Sequence, residues 1–110
     1  MPKIVFDTDG TIITTDPYPG GPVGREDVLA LLRAFNKLGW DIYVHSGGGV
    51  LYAERWVRYL KLDEEMHIFI SIKGDSKIHF DIAVDDCDLE KEWSKDKTGN
   101  YIDADLFIKV

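Results

Sequence analysis

The stretch KIVFDTDGTI, Lys3 to Ile12, runs from a short apolar segment straight into two aspartates one residue apart, with a glycine and a threonine behind them. An apolar run of this kind reads as a buried strand over residues 3 to 6, so both carboxylates stand just past its end. Downstream, TIITTDPYPGGPVG, Thr11 to Gly24, is rich in proline and glycine and reads as a loop with room for a small hairpin. Arg25 to Leu38 then places Val28, Leu31, Leu32, Phe35 and Leu38 at helical spacing. Glu26 and Asp27 come early and Lys37 late, complementing the helix dipole, and Gly39 is the stop signal.

The alternation continues. WDIYVH, Trp40 to His45, is β-branched and aromatic enough for a second strand, closed by Ser46 and the run Gly47, Gly48, Gly49. Val50 to Leu62 predicts a helix whose shared face carries Leu51, Tyr52, Trp56, Tyr59 and Leu60. Met66 to Ile72 reads as a third strand and, after KGDSKIH, Phe80 to Val84 as a fourth that runs into Asp85 and Asp86. A short acidic helix near Leu89 to Trp93, a polar turn at SKDKTGN and a last strand within ADLFIKV complete the chain. The expected architecture is α/β: a Rossmann-like three-layer sandwich around a mostly parallel sheet of about five strands, forming one domain over residues 1–110.

Composition narrows the function. A chain of 110 residues that is 45% hydrophobic and 30% charged has the makeup of a folded domain able to bury a core without disulfides. Cys87, the single cysteine, has no zinc-type Cys/His neighbours and reads as a small buried hydrophobe in a reducing compartment. No signal-peptide pattern opens the sequence and no apolar run is long enough for a membrane span, so a cytoplasmic location is expected. A net charge of −7 disfavours general affinity for nucleic acid while leaving room for a divalent cation.

In open α/β sheets, ligands bind outside the carboxyl ends of the strands where the strand order switches. Asp7, Ser46 and Asp85 each follow or end a predicted strand, which brings three segments to one edge. Single residues of these types are ordinary strand-end caps and turn formers; their convergence is what points to a site.

IVFDTDGTI resembles the first motif of the haloacid dehalogenase superfamily, a hydrophobic strand followed by Asp-x-Asp-Gly-Thr. IYVHS is similar to its second motif, a strand closed by Ser or Thr, and IAVDD to its acidic fourth motif. The third motif is a lone lysine; spacing ahead of the fourth strand favours Lys77, with Lys73 as the alternative. The motifs fall in family order over residues 3 to 86. Members usually carry a substrate-selecting cap after the first motif or after the third strand. Here both gaps are short, so the resemblance implies a capless domain with an open site, suited to a bulky phosphorylated substrate such as a nucleic-acid end or a phosphoprotein, or completed by another copy in a homo-oligomer.

The residues themselves suit phosphoryl transfer. Asp7 is placed to attack phosphorus, and Asp9 to protonate the departing oxygen and then activate water. Gly10 allows a tight turn beside the phosphate, Thr11 could pin that turn, and Ser46 with the Gly47 N–H can hold phosphate oxygens. Asp7 with Asp85 or Asp86 would bind Mg²⁺, the resemblance adding the main-chain carbonyl of Asp9. Lys77 would balance the charge. Tyr18 and Arg25 are candidate substrate contacts from the first loop.

Other features read as structural. His45, His67 and His79 lack mutual metal-ligand spacing. Trp40, Trp56 and Trp93 fit core positions, no interleaving of aromatic and basic residues suggests a base-stacking platform, and GGG lacks the lysine of a phosphate loop. The expected function is a Mg²⁺-dependent phosphomonoesterase working through an aspartyl-phosphate. Two other readings are a receiver-like phosphoacceptor domain, disfavoured because its acidic pair should come first and its phosphoacceptor on a middle strand, and a catalytically idle binding version of the fold.

Overall fold

The computed structural model of the protein describes residues 1–15, 20–74, 77–87 and 102–110. Along the chain come β1 (Lys3–Phe6), α1 (Glu26–Lys37), β2 (Asp41–Val44), α2 (Val50–Tyr59), α3 (Leu62–Glu65), β3 (Ile68–Ile70), β4 (His79–Asp85) and β5 (Asp103–Lys109). The expected acidic helix at 89–93, the turn at 94–100, Trp93 and Tyr18 lie outside the described residues.

The strands form one sheet in the order β3-β2-β1-β4-β5, and every pairing is parallel. This begins like the 3-2-1-4 order of doubly wound folds, in which the chain builds outward from β1, then returns to add β4 on its other side. The reversal puts the switch point between β1 and β4, whose register matches Val5 with Ala83. The carboxyl ends of those two strands carry Asp7 and Asp85.

Strand alternation sorts side chains by face. Ile4 and Phe6 of β1, Ile42 and Val44 of β2 and Val84 of β4 pack on one face with Val28, Leu29 and Leu32 of α1, Ala53 and Val57 of α2 and Leu62 of α3. Val5 and Ala83 point the other way, into a smaller cluster with Phe80 and Ile102, against which Tyr43, Ile78 and Phe107 pack. Ile78, just ahead of β4, packs on this second face. The result is a three-layer α/β sandwich, with no cap-like insertion among the described residues.

Local chemistry explains the boundaries. α1 ends at Gly39, where φ of +85° is cheap only without a Cβ, and the N–H groups of Gly39 and Trp40 return to the carbonyls of Asn36 and Phe35. The first loop closes a small hairpin through an antiparallel bridge between Ile13 and Gly24. The second helix is shorter than its periodicity predicts: Lys61, at φ 60°, breaks it from α3. Its expected apolar face is also corrected in part. The buried stripe is Ala53 and Val57, with Trp56 and Leu60 packed against the core as expected, while Leu51 is 76% and Tyr59 71% exposed. Cys87, expected to be buried, is exposed. No helix among the described residues is long and apolar enough to cross a membrane.

Candidate active site at the carboxyl edge of the sheet

The site is built by three central strands ending together. The Asp7 N–H donates to the Val84 carbonyl at 3.0 Å and the His45 N–H to the Phe6 carbonyl at 3.0 Å, so the ladder extends one residue past β1 and β2. Alternation then turns Asp7, His45 and Asp85 toward the same face as Val5, Tyr43 and Ala83. All three are buried. Each offers a ligand atom, and these atoms lie within 4.8 Å of one another, an arrangement that can take a divalent metal. His45 is an unforeseen member, since its neighbours here are far from it in sequence.

Lys73, just past β3, reaches the same cluster. Its ammonium donates to Asp85 Oδ2 at 2.8 Å and lies 3.2 Å from Asp7 Oδ1, with the side chain only 5% exposed. Lys77, preferred on spacing, is exposed instead. The contacts with Asp7 and Asp85 are thus made by Lys73, the alternative, and not by Lys77, because spacing to β4 measures distance along the chain and not the direction a side chain takes.

Charges in the site are strongly perturbed. Burial pushes the Asp7 carboxyl up to about 7; the Lys73 ammonium opposes this and the Asp85 carboxylate adds to it. Asp85 is buried too, yet the hydrogen bonds from Lys73 and the Cys87 N–H, the latter at 2.9 Å, hold it below the ordinary carboxylate range. Asp86 is raised, by burial first and then by its hydrogen bond to Asp85. Burial drives His45 down to about 3, helped by the positive charge of Lys73. It is therefore neutral at physiological pH. Neither ring nitrogen has a partner among the described residues.

The Asp-x-Asp-Gly-Thr turn is fixed mainly by its backbone. The N–H groups of Thr11 and Ile13 converge on the Thr8 carbonyl at 3.1 and 3.2 Å. Gly10 sits at φ +74°, and a Cβ there would land on the Asp86 carboxylate. The hydroxyl that pins the turn belongs to Thr8, which donates to the His45 carbonyl at 2.8 Å. Thr11, expected in that role, has a buried hydroxyl without a partner among the described residues. Thr8 occupies the variable position of the motif, so the sequence pattern did not single it out.

Asp9 is exposed and turned toward α2, where the Tyr52 hydroxyl donates to Asp9 Oδ1 at 2.6 Å. Its side chain is not among the groups clustered for a metal. Ser46 is buried, and its Oγ accepts the Gly48 N–H at 3.0 Å, leaving its own proton to donate; Gly47 is exposed beside it. Arg25 donates to the Gly10 carbonyl at 2.7 Å, which makes it a brace between α1 and the turn.

The oxygen donors present fit a hard divalent cation such as Mg²⁺. Asp85 and Asp86 are adjacent carboxyls, Asp86 being raised by burial and by its hydrogen bond to Asp85, and Asp7 completes the acidic set. Comparison with known families, curated proteins and solved structures finds no match. The function is accordingly inferred from the fold and from the geometry of the site.

Proposed function

We propose that the chain is a single-domain, Mg²⁺-dependent phosphomonoester hydrolase that works through an aspartyl-phosphate on Asp7, of the small capless haloacid dehalogenase type. The observation that carries this reading is the contact of one buried ammonium, Lys73, with both Asp7 and Asp85 at the β1/β4 switch point. A carboxylate nucleophile needs cationic surroundings before it can approach an anionic phosphate, and that contact supplies one of them.

Asp7 attacks phosphorus, and the ester oxygen leaves with a proton from Asp9. Asp9 then takes a proton from water, which attacks the phosphoryl group and releases Asp7. The Thr8–Gly10 turn brings main-chain N–H groups close to the phosphate, and Ser46 donates to one of its oxygens. Lys73 offsets charge on the phosphoryl group and on Asp7. Asp7, Asp85 and Asp86 would hold Mg²⁺, which supplies charge neutralisation at the phosphoryl oxygens when bound. The strand order differs from the 2-1-3-4-5 order of receiver-type folds, which counts against a phosphoacceptor signalling domain.

The test is hydrolysis of p-nitrophenyl phosphate. Wild-type protein should turn it over with Mg²⁺, and Asp7→Asn should lose the activity. Undiminished turnover by Asp7→Asn, after contaminants are removed, would sink the proposal.

A further inference from the structure

The partly exposed flank of α2 opens beside the site, where Tyr52 meets Asp9. Pro22, Tyr52, Arg55, Trp56 and Tyr59 line a cavity of about 350 Å³. Trp56 is half-buried, packing against the core and also lining the cavity, and Tyr59 meets it edge to face with ring centroids 5.2 Å apart and planes at 76°. Arg55 is exposed and has no carboxylate partner among the described residues, a local cation in a chain of net charge −7. Aromatic and basic residues thus do interleave, in YAERWVRY, Tyr52 to Tyr59.

Resting on the hydrolase reading, we propose that this cavity binds the nucleoside part of a nucleotide substrate. In that reading Asp9 protonates the leaving oxygen, so the leaving group lies on the side of Asp9. Tyr52 holds Asp9 at 2.6 Å and is itself a wall of the cavity. The leaving group therefore extends along α2. Trp56 stands one turn beyond Tyr52, about 6 Å along the helix. An aryl phosphate, with its ring bonded to the ester oxygen, would stop at Tyr52. A pentose between phosphate and ring carries the ring on to Trp56 and Tyr59, where a flat base stacks, and Arg55 supplies hydrogen bonds or a cation over its face. A volume near 350 Å³ lies within the usual range for small-ligand sites.

Two measurements test this. The first is the ratio of kcat/KM for adenosine 5′-monophosphate over glycerol 3-phosphate. Replacing Trp56→Ala should lower that ratio at least about fivefold, the lower end of one lost stacking contact. Tyr59→Ala, at an exposed ring, and Arg55→Ala should lower it in the same direction if Trp56→Ala does not fold. An unchanged ratio in all folded variants overturns the proposal. The second measurement is quenching of tryptophan fluorescence by adenosine, which has no phosphate, in Asp7→Asn protein. Saturable quenching that Tyr59→Ala and Arg55→Ala weaken supports the subsite even where no phosphoester is hydrolysed, so failure of the hydrolase reading would be seen separately. No saturable quenching overturns it. A 3′-phosphorylated oligonucleotide run beside the free nucleotide, with the same dependence on Tyr59 and Arg55, supports the subsite, and the faster of the two identifies its source.

Discussion

Lys73 and Lys77 differ by four positions and carry the same charge, yet only Lys73 has its ammonium against two buried carboxylates. Under the proposed mechanism Lys73→Ala should reduce kcat/KM by about 10²–10³-fold, the usual cost of losing one preorganised electrostatic contact, and Lys77→Ala by at least tenfold less. Steady-state kinetics on the two variants decides it. The sequence narrowed the choice to these two residues and favoured Lys77 on spacing, because distance along the chain gives no period from which a side chain's direction can be read. Asp7, Gly10 and Asp85 were legible because strand ends and positive-φ glycines leave local signals. Thr8 and His45 were not: one bonds across 37 positions of sequence, and the other becomes a neighbour of Asp7 and Asp85 only through strand pairing.

At the scale of elements, helix periodicity was right in part for both helices: Val28, Leu31, Leu32 and Phe35 of α1 and Trp56 and Leu60 at α2 pack in or on the core, while Leu38, Leu51 and Tyr59 are exposed. Both have an apolar stripe, but α2 mixes rings and arginines, and small Ala53 allows close approach to the sheet while the larger rings are displaced to its flank. The last strand joins the sheet with help from charge. His79 on β4 faces Asp103 at 3.1 Å and Asp105 at 3.2 Å, and hydrogen bonds to these carboxylates, Asp103 first, raise its pKa. A histidine raised on folding contributes stability that is present below its unfolded pKa and is lost as pH rises through its folded value. NMR titration should place the His79 midpoint above the ordinary 6.5, and Asp103→Asn should move it back down. His45, by contrast, should not titrate in that range, since burial keeps it neutral.

For the molecule as a whole, proton and metal compete at one carboxylate. Asp7 is held up to about 7 without metal, so a cation that binds its ionised form must expel a proton whenever pH is below that value. Mg²⁺ affinity should rise about tenfold per pH unit up to about pH 7 and level off above it. Calorimetry in buffers of different ionisation enthalpy checks both the slope and the released proton, and a flat profile would count against Asp7 as ligand. The sequence by itself determined the α/β alternation, the five strands and the acidic strand ends, because hydrophobic period and turn chemistry are local. Only the tertiary structure decided which lysine meets Asp7 and Asp85, that His45 lies beside them, and that the rings of α2 line a cavity next to Asp9. Those relations depend on which strands pair and on which side chains their ends bring together, and no neighbouring residues encode either. KIVFDTDGTI set the place of the site; its partners were set by the fold.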